Sequence, residues 1–115
     1  MEALTGGLAE NPQDSHSTYR LVVEERGKDL WVKTLTVGKH QIGRVSDCLV
    51  IINSPYASRV HCEITVHDDR VTLRDLNSRN GTFVNGQRLA PGEERTLCLN
   101  DMIRLAGTIL TLVKT

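Results

Sequence analysis

Aromatic residues are scarce in this 115-residue chain: Tyr19, Trp31, Tyr56 and Phe83 are all it has. A core cannot be built on large rings and must rest on Val, Ile and Leu. Charge excess is absent too, with 14 Lys and Arg against 14 Asp and Glu. Broad capture of nucleic acid or of an acidic membrane surface needs a basic excess, so neither is expected, and any cationic site must be local. Cysteines are few and unpaired. Cys48, Cys62 and Cys98 form no C-x-x-C pair, and together with the histidines they lack metal-ligand spacing. They read as small buried hydrophobes in a reducing compartment, with no disulfide framework, metal or other cofactor. No 18-residue apolar run occurs, and the N-terminus has no apolar stretch flanked by positive charge. Membrane insertion and a secretory leader are not expected, which leaves a cytoplasmic protein.

What the chain does have is short alternating apolar runs. Residues 1–17 carry no period that would bury a face and read as a flexible tail; residues 18–115 read as one domain, the most this length supports. Tyr19 to Glu25, Leu30 to Val37 and His40 to Gly43 form the first strands. Cys48 to Ile52 is apolar enough to be core throughout. Arg59 to His67 alternates, with Val60, Cys62, Ile64 and Val66 on one face and Arg59, His61, Glu63 and Thr65 on the other. Arg70 to Leu76, Thr82 to Val84, Gln87 to Leu89, Arg95 to Leu99, Met102 to Ala106 and Thr108 to Val113 complete the set. Asn85-Gly86 between alternating flanks is a strong hairpin signal. Ten or eleven short strands and no convincing helix place the chain among all-β sandwiches.

The polar groups that carry chemistry fall at the ends of these strands. Gly43-Arg44 is followed 14 residues after Arg44 by Ser58, in Ser58-Arg59-Val60-His61, and 22 residues after Ser58 by Asn80, in Asn77-Ser78-Arg79-Asn80-Gly81-Thr82. Asn85-Gly86 comes just after. Arg44 and Arg59 offer permanently charged forks that match phosphate or carboxylate geometry, Ser58 a hydroxyl, and Asn80 an amide that both gives and accepts hydrogen bonds. This is an anion site by residue type. Gly43 directly before Arg44 fits a need for backbone room beside a ligand.

In order and kind these elements resemble the forkhead-associated (FHA) domains, whose motif runs Gly-Arg, then Ser-x-x-His, then Asn-Gly-Thr and a second Asn-Gly. The resemblance covers roughly residues 19–114. It implies a twisted two-sheet sandwich with the ligand site in loops at one end, and binding of a phosphothreonine peptide in Ser/Thr-kinase signalling. It implies further that Arg44 and Ser58 hold the phosphate, with Arg59 adding a second cation, and that Asn80 bonds the peptide main chain. His61 would brace the loop from beneath, and Gly43, Gly81, Asn85 and Gly86 would support it. Two positions depart from the pattern. Arg79 stands where many relatives carry Ser or Thr, which predicts a bias toward an acidic residue near the phosphothreonine. Asn100-Asp101-Met102-Ile103 replaces Gly-Asp-x-Ile, a change the turn tolerates because Asn accepts the left-handed backbone.

A threonine-phosphorylated protein or peptide is thus the expected partner, and the Ser/Thr kinase that writes the mark a further candidate. Thr5, Ser15, Ser17 and Thr18 are hydroxyls within reach of a kinase, and a phosphorylated tail would fold back onto the Arg44 site and inhibit it. The alternative is an FHA-like scaffold that docks a folded partner through the same loops without phosphate. Ser58, His61 and Asp75 include the residue types of a hydrolytic triad. No glycine pattern for an oxyanion hole accompanies them, so no enzyme is expected.

Overall fold

Alternation along the chain becomes two packed sheets in a computed structural model that describes residues 19–115. Eleven strands follow in order: β1 (Tyr19–Glu24), β2 (Trp31–Leu35), β3 (Gly38–Gly43), β4 (Val50–Ile51), β5 (Cys62–Val66), β6 (Val71–Asp75), β7 (Phe83–Val84), β8 (Gln87–Arg88), β9 (Glu94–Leu97), β10 (Met102–Leu105) and β11 (Thr108–Lys114). One sheet has five strands in the order β9-β6-β5-β3-β4, the other six in the order β2-β1-β11-β10-β7-β8. Among the described residues the chain is therefore an all-β sandwich without helices.

Every neighbouring pair is antiparallel except β3 and β4, where Ile42 faces Val50 and Gly43 faces Ile51 in parallel. A parallel neighbour needs a connection that returns to the same end, and residues 44–49 supply it, so Arg44 leaves the sheet at the start of that return. The longest ladder, β1 with β11, runs from Tyr19 opposite Lys114 to Glu24 opposite Ile109. It ties the first described strand to the last.

The inner faces meet in a core of aliphatic side chains. Leu21, Leu110, Leu112, Ile103 and Leu105 from the six-stranded sheet and Ile42, Val50, Ile64 and Leu73 from the other are buried. Their role as core follows from the period of two: in β5, Cys62, Ile64 and Val66 point inward while Glu63 and Thr65 are half-exposed. At the Asn85-Gly86 hairpin between β7 and β8, both residues have positive φ (49° and 84°), the conformation a two-residue primed turn requires. Asn100 likewise takes φ 73°, so the turn before β10 keeps its left-handed residue with Asn in place of Gly.

Three expectations need correction. The strand anticipated from Arg59 begins only at Cys62, and His61 is buried beside the buried Cys62. The alternation stops there because the His61 side chain is drawn inward to bond the neighbouring loops. The run Cys48 to Ile52 is not core throughout, since Ile51 is exposed on the outer face. Cys98 is exposed, unlike Cys48 and Cys62, because it lies past the end of β9 in the turn that leads to β10. The N-terminal tail and its hydroxyls at Thr5, Ser15, Ser17 and Thr18 lie outside the described residues.

Candidate functional site

Three loops converge at one end of the five-stranded sheet, and hydrogen bonds between them set the position of each polar side chain. The amide of Arg44 donates to the carbonyls of Ser58 (3.1 Å) and Arg59 (2.9 Å), and that of Val45 to Arg59 (3.2 Å). The loop after β3 thus lies directly on the loop before β5. A β-carbon on Gly43 would come within 2.4 Å of the Arg59 carbonyl oxygen. The room this glycine provides is therefore taken by the chain's own backbone and not by a ligand, as its position in sequence had suggested.

The Arg44 side chain is fixed at its root. Its Nε donates to the carbonyl of Ala57 at 3.1 Å, and Ala57 is itself buried. A planar guanidinium held by one edge keeps its two terminal nitrogens aimed outward, and no carboxylate pairs with them among the described residues. Ser58 is also half committed. Its Oγ accepts the amide of Arg79 at 3.0 Å, which leaves the hydroxyl proton free for an external acceptor. Asn80 donates from Nδ2 to the carbonyl of Tyr56 at 2.7 Å, so its Oδ1 remains open to accept from a peptide amide. Arg59 and Arg79 are exposed, and their side chains meet no carboxylate among the described residues.

Beneath this surface lies a buried polar relay. His61, fully buried, accepts the Ser58 amide at Nδ1 (3.0 Å) and has Nε2 2.9 Å from the carbonyl of Gly81. A ring that accepts at Nδ1 carries its proton on Nε2, which then donates to Gly81. One imidazole so joins two loops 20 residues apart. The Gly81 amide donates to Ser78 Oγ, and Ser78 Oγ in turn donates to Asp75 Oδ1. Asp75 also receives the Ser78 amide at 3.1 Å and the Thr82 hydroxyl at 2.7 Å. Burial alone would raise the Asp75 carboxyl; the hydrogen bonds from Ser78 and Thr82 outweigh it, and the group sits below the ordinary aspartate range.

The same bonds decide against a hydrolytic triad. His61 receives the amide of Ser58 and not its hydroxyl, its other nitrogen faces Gly81, and the Asp75 carboxylate is occupied by Ser78 and Thr82. Cysteine chemistry is muted as well. Burial, with Asp75 adding to it, pushes the Cys62 thiol far above its ordinary value, and burial raises that of Cys48, which keeps both as neutral thiols. Among the described residues no group of His, Cys, Asp and Glu has the geometry to hold a metal ion, and no helix is long and apolar enough to cross a membrane.

Asn85 donates to Asp101 (2.9 Å) and accepts the amide of Met102 (3.0 Å), so it anchors the β7–β8 hairpin to β10, and these side-chain bonds do not run to the three site loops. Sequence reasoning did not assign roles to Ser78 and Thr82, although both stand inside the Asn77 to Thr82 motif; the signal was a pair of short hydroxyl residues three and seven positions after Asp75.

Fold and site together define a β-sandwich recognition module whose loops hold a guanidinium, a hydroxyl and a carboxamide in fixed relation, with donors left over for a ligand. The family model of the FHA domain matches residues 40–106, and the chain belongs to that family. Over 59 residues it is 41% identical to nibrin of Danio rerio, which covers 51% of this chain and 7% of nibrin. Over 112 residues it is 28% identical to the FHA domain-containing protein FhaB of Mycolicibacterium smegmatis, covering 96% of this chain and 70% of that protein. A solved structure from a study of phosphothreonine-dependent FHA domain interactions matches with a TM-score of 0.73 at 29% identity, over 84% of this chain and 96% of that one.

Proposed function

We propose that this domain binds phosphothreonine-containing peptides, with Arg44 and Ser58 on the phosphate and Asn80 on the peptide main chain. The observation that carries the reading is the half-committed state of these side chains. Arg44 and Ser58 each spend one bond on the protein, at Nε and Oγ respectively, and each keeps donors for a dianion. Arg59 and Arg79 extend the cationic rim. Charge-assisted hydrogen bonds of this kind contribute roughly 1.5–3 kcal/mol each, and ordering a flexible peptide offsets much of the sum. Moderate affinity and quick release follow, as suits a reversible signal in Ser/Thr-kinase pathways of the cytoplasm.

A phosphorylated N-terminal tail would be a tethered competitor at the same site, because a linked ligand acts at high effective concentration. Chemical-shift mapping with a phosphothreonine peptide tests the main reading. The amides of Arg44, Ser58, Arg59, Arg79 and Asn80 are expected to move together. Perturbation confined to other surfaces, or equal perturbation by the unphosphorylated peptide, overturns it in favour of phosphate-independent docking. Phosphorylating the tail with a Ser/Thr kinase should weaken peptide binding; undiminished binding removes the self-inhibition.

A further inference from the structure

Gly81 is buried, although Asn80 beside it is exposed. From beneath it is held by the relay: its amide donates to Ser78 Oγ, and its carbonyl accepts from His61 Nε2 at 2.9 Å. Its outer side is covered by Arg88. A β-carbon on Gly81 would stand 2.7 Å from Arg88 Nε, 3.0 Å from Arg88 Cζ and 3.2 Å from Cε1 of Phe83. The exposed arginine thus lies against the glycine on the side that the relay leaves open.

Strand register explains how Arg88 comes to be there. Phe83 stands opposite Arg88 in the β7–β8 ladder and opposite Arg104 in the β10–β7 ladder, and the two guanidinium carbons lie 5.9 Å and 4.3 Å from the centre of its ring. An aromatic ring restrains a guanidinium without consuming its N–H donors. Among the described residues Arg88 pairs with no carboxylate that would draw it away from this position. The consequence falls on Asn80. Glycine is the most permissive backbone residue, and Gly81 sits at φ 94°, where it has no side chain to pack for itself. Rotation there would carry the Asn80 carboxamide off the Tyr56 carbonyl, to which it donates at 2.7 Å. A long side chain laid over such a glycine restricts that rotation by packing.

We infer that Arg88 is a positioning residue of the peptide site: by covering Gly81 it holds the Asn80 carboxamide in register with Arg44 and Ser58, and it acts through Asn80 without touching the ligand. The inference rests on the phosphopeptide binding proposed above and adds to it a residue of β8 that lies outside the motif groups at the loop ends.

The test is a double-mutant cycle, read by fluorescence anisotropy with one phosphothreonine peptide on wild type, Arg88→Ala, Asn80→Ala and the double variant. Arg88→Ala should weaken binding about three- to tenfold, and the same change in the Asn80→Ala background less than about twofold, because residues that act as one unit are not additive. Arg88→Met reaches as far as the Nε position without the charge, so it should bind within about twofold of wild type. In the free domain the Gly81 amide should exchange with solvent faster in Arg88→Ala and at the wild-type rate in Arg88→Met. A loss of the same size in both backgrounds overturns the inference, because it marks a direct or long-range charge effect on the ligand. Unchanged affinity in Arg88→Ala overturns it as well, as does an Arg88→Met variant as weak as Arg88→Ala. All of these results leave the phosphate site standing. A wild-type domain that does not distinguish phosphorylated from unphosphorylated peptide overturns the reading on which the inference rests. Thermal melts show that the variants are folded; should Arg88→Ala lose its structure, Arg88→Thr takes its place in the cycle.

Discussion

The hydroxyl of Ser58 accepts the backbone amide of Arg79 across 21 residues of sequence, at 3.0 Å. One oxygen thereby sets the distance between two loops and, as an acceptor here, keeps its own proton free for another partner. Ser58→Ala removes both functions. Phosphopeptide affinity should fall about 10- to 150-fold, the cost of one charge-assisted bond of roughly 1.5–3 kcal/mol, while the melting temperature changes little because the Arg79 amide is near enough to solvent to be hydrated. Calorimetric titration and a thermal melt check this. A large loss of stability with unchanged affinity would mean that the hydroxyl serves the fold alone.

His61 presents the opposite balance. It is fully buried and bonded at both ring nitrogens, so His61→Ala leaves a cavity and two unpaired backbone groups. The expected loss is about 2–4 kcal/mol, which for a domain of this size lowers the melting temperature by roughly 10 °C or more. Binding should weaken as the loops loosen. A variant as stable as wild type would show that the relay does not brace the site.

Two glycines separate steric need from conformational need. A β-carbon at Gly43 meets the Arg59 carbonyl at 2.4 Å, whereas one at Gly86 meets nothing within 4 Å. Gly43→Ala must shift the Arg59 to His61 backbone and should cost about 1–3 kcal/mol together with phosphopeptide affinity. Gly86→Ala meets only the penalty of its left-handed backbone, about 1 kcal/mol, and should leave binding unchanged. Urea denaturation and titration of both variants distinguish the cases; equal effects on binding would contradict the assignment.

Much of this was legible before any coordinates. The period of two in Cys62 to Val66 and Thr108 to Val113, together with Asn85-Gly86, marked the strands and their turns, since burial on one face enforces alternation. The Gly-Arg, Ser-x-x-His and Asn-Gly-Thr groups marked the loops. Pairing order was not legible, because hydrogen bonds between strands leave no local trace. For the same reason the period of two alone set His61 on the outward face with Arg59, Glu63 and Thr65, although the resemblance gave it as a brace beneath the loop: its inward turn is set by Gly81, 20 residues away. Asp75 went unassigned as a hub because its partners, Ser78 and Thr82, act through a loop conformation that composition does not encode.

Acid should expose the weight carried by Asp75. Its carboxyl sits below the ordinary range when folded, so the unfolded chain takes up the proton first as pH falls. The stabilisation is complete above the unfolded value near pH 3.9 and its neighbourhood, and is lost as pH drops through the lower folded value. Urea midpoints from pH 7 to pH 3 should therefore decline less steeply in Asp75→Asn than in wild type, from a lower starting stability. Parallel slopes would remove Asp75 as a source of acid sensitivity.

The central claim is that Arg44, held at Nε by Ala57, supplies the principal charge to a phosphate. The most direct test is calorimetric titration of a phosphothreonine peptide into the wild-type domain and into Arg44→Ala, with the unphosphorylated peptide as a third arm. Wild type should bind the phosphorylated form alone, and Arg44→Ala should lose about 2–4 kcal/mol, on the order of 30- to 1,000-fold, while its melting curve stays close to that of wild type. Equal affinity of a folded Arg44→Ala for the phosphorylated peptide would contradict the account.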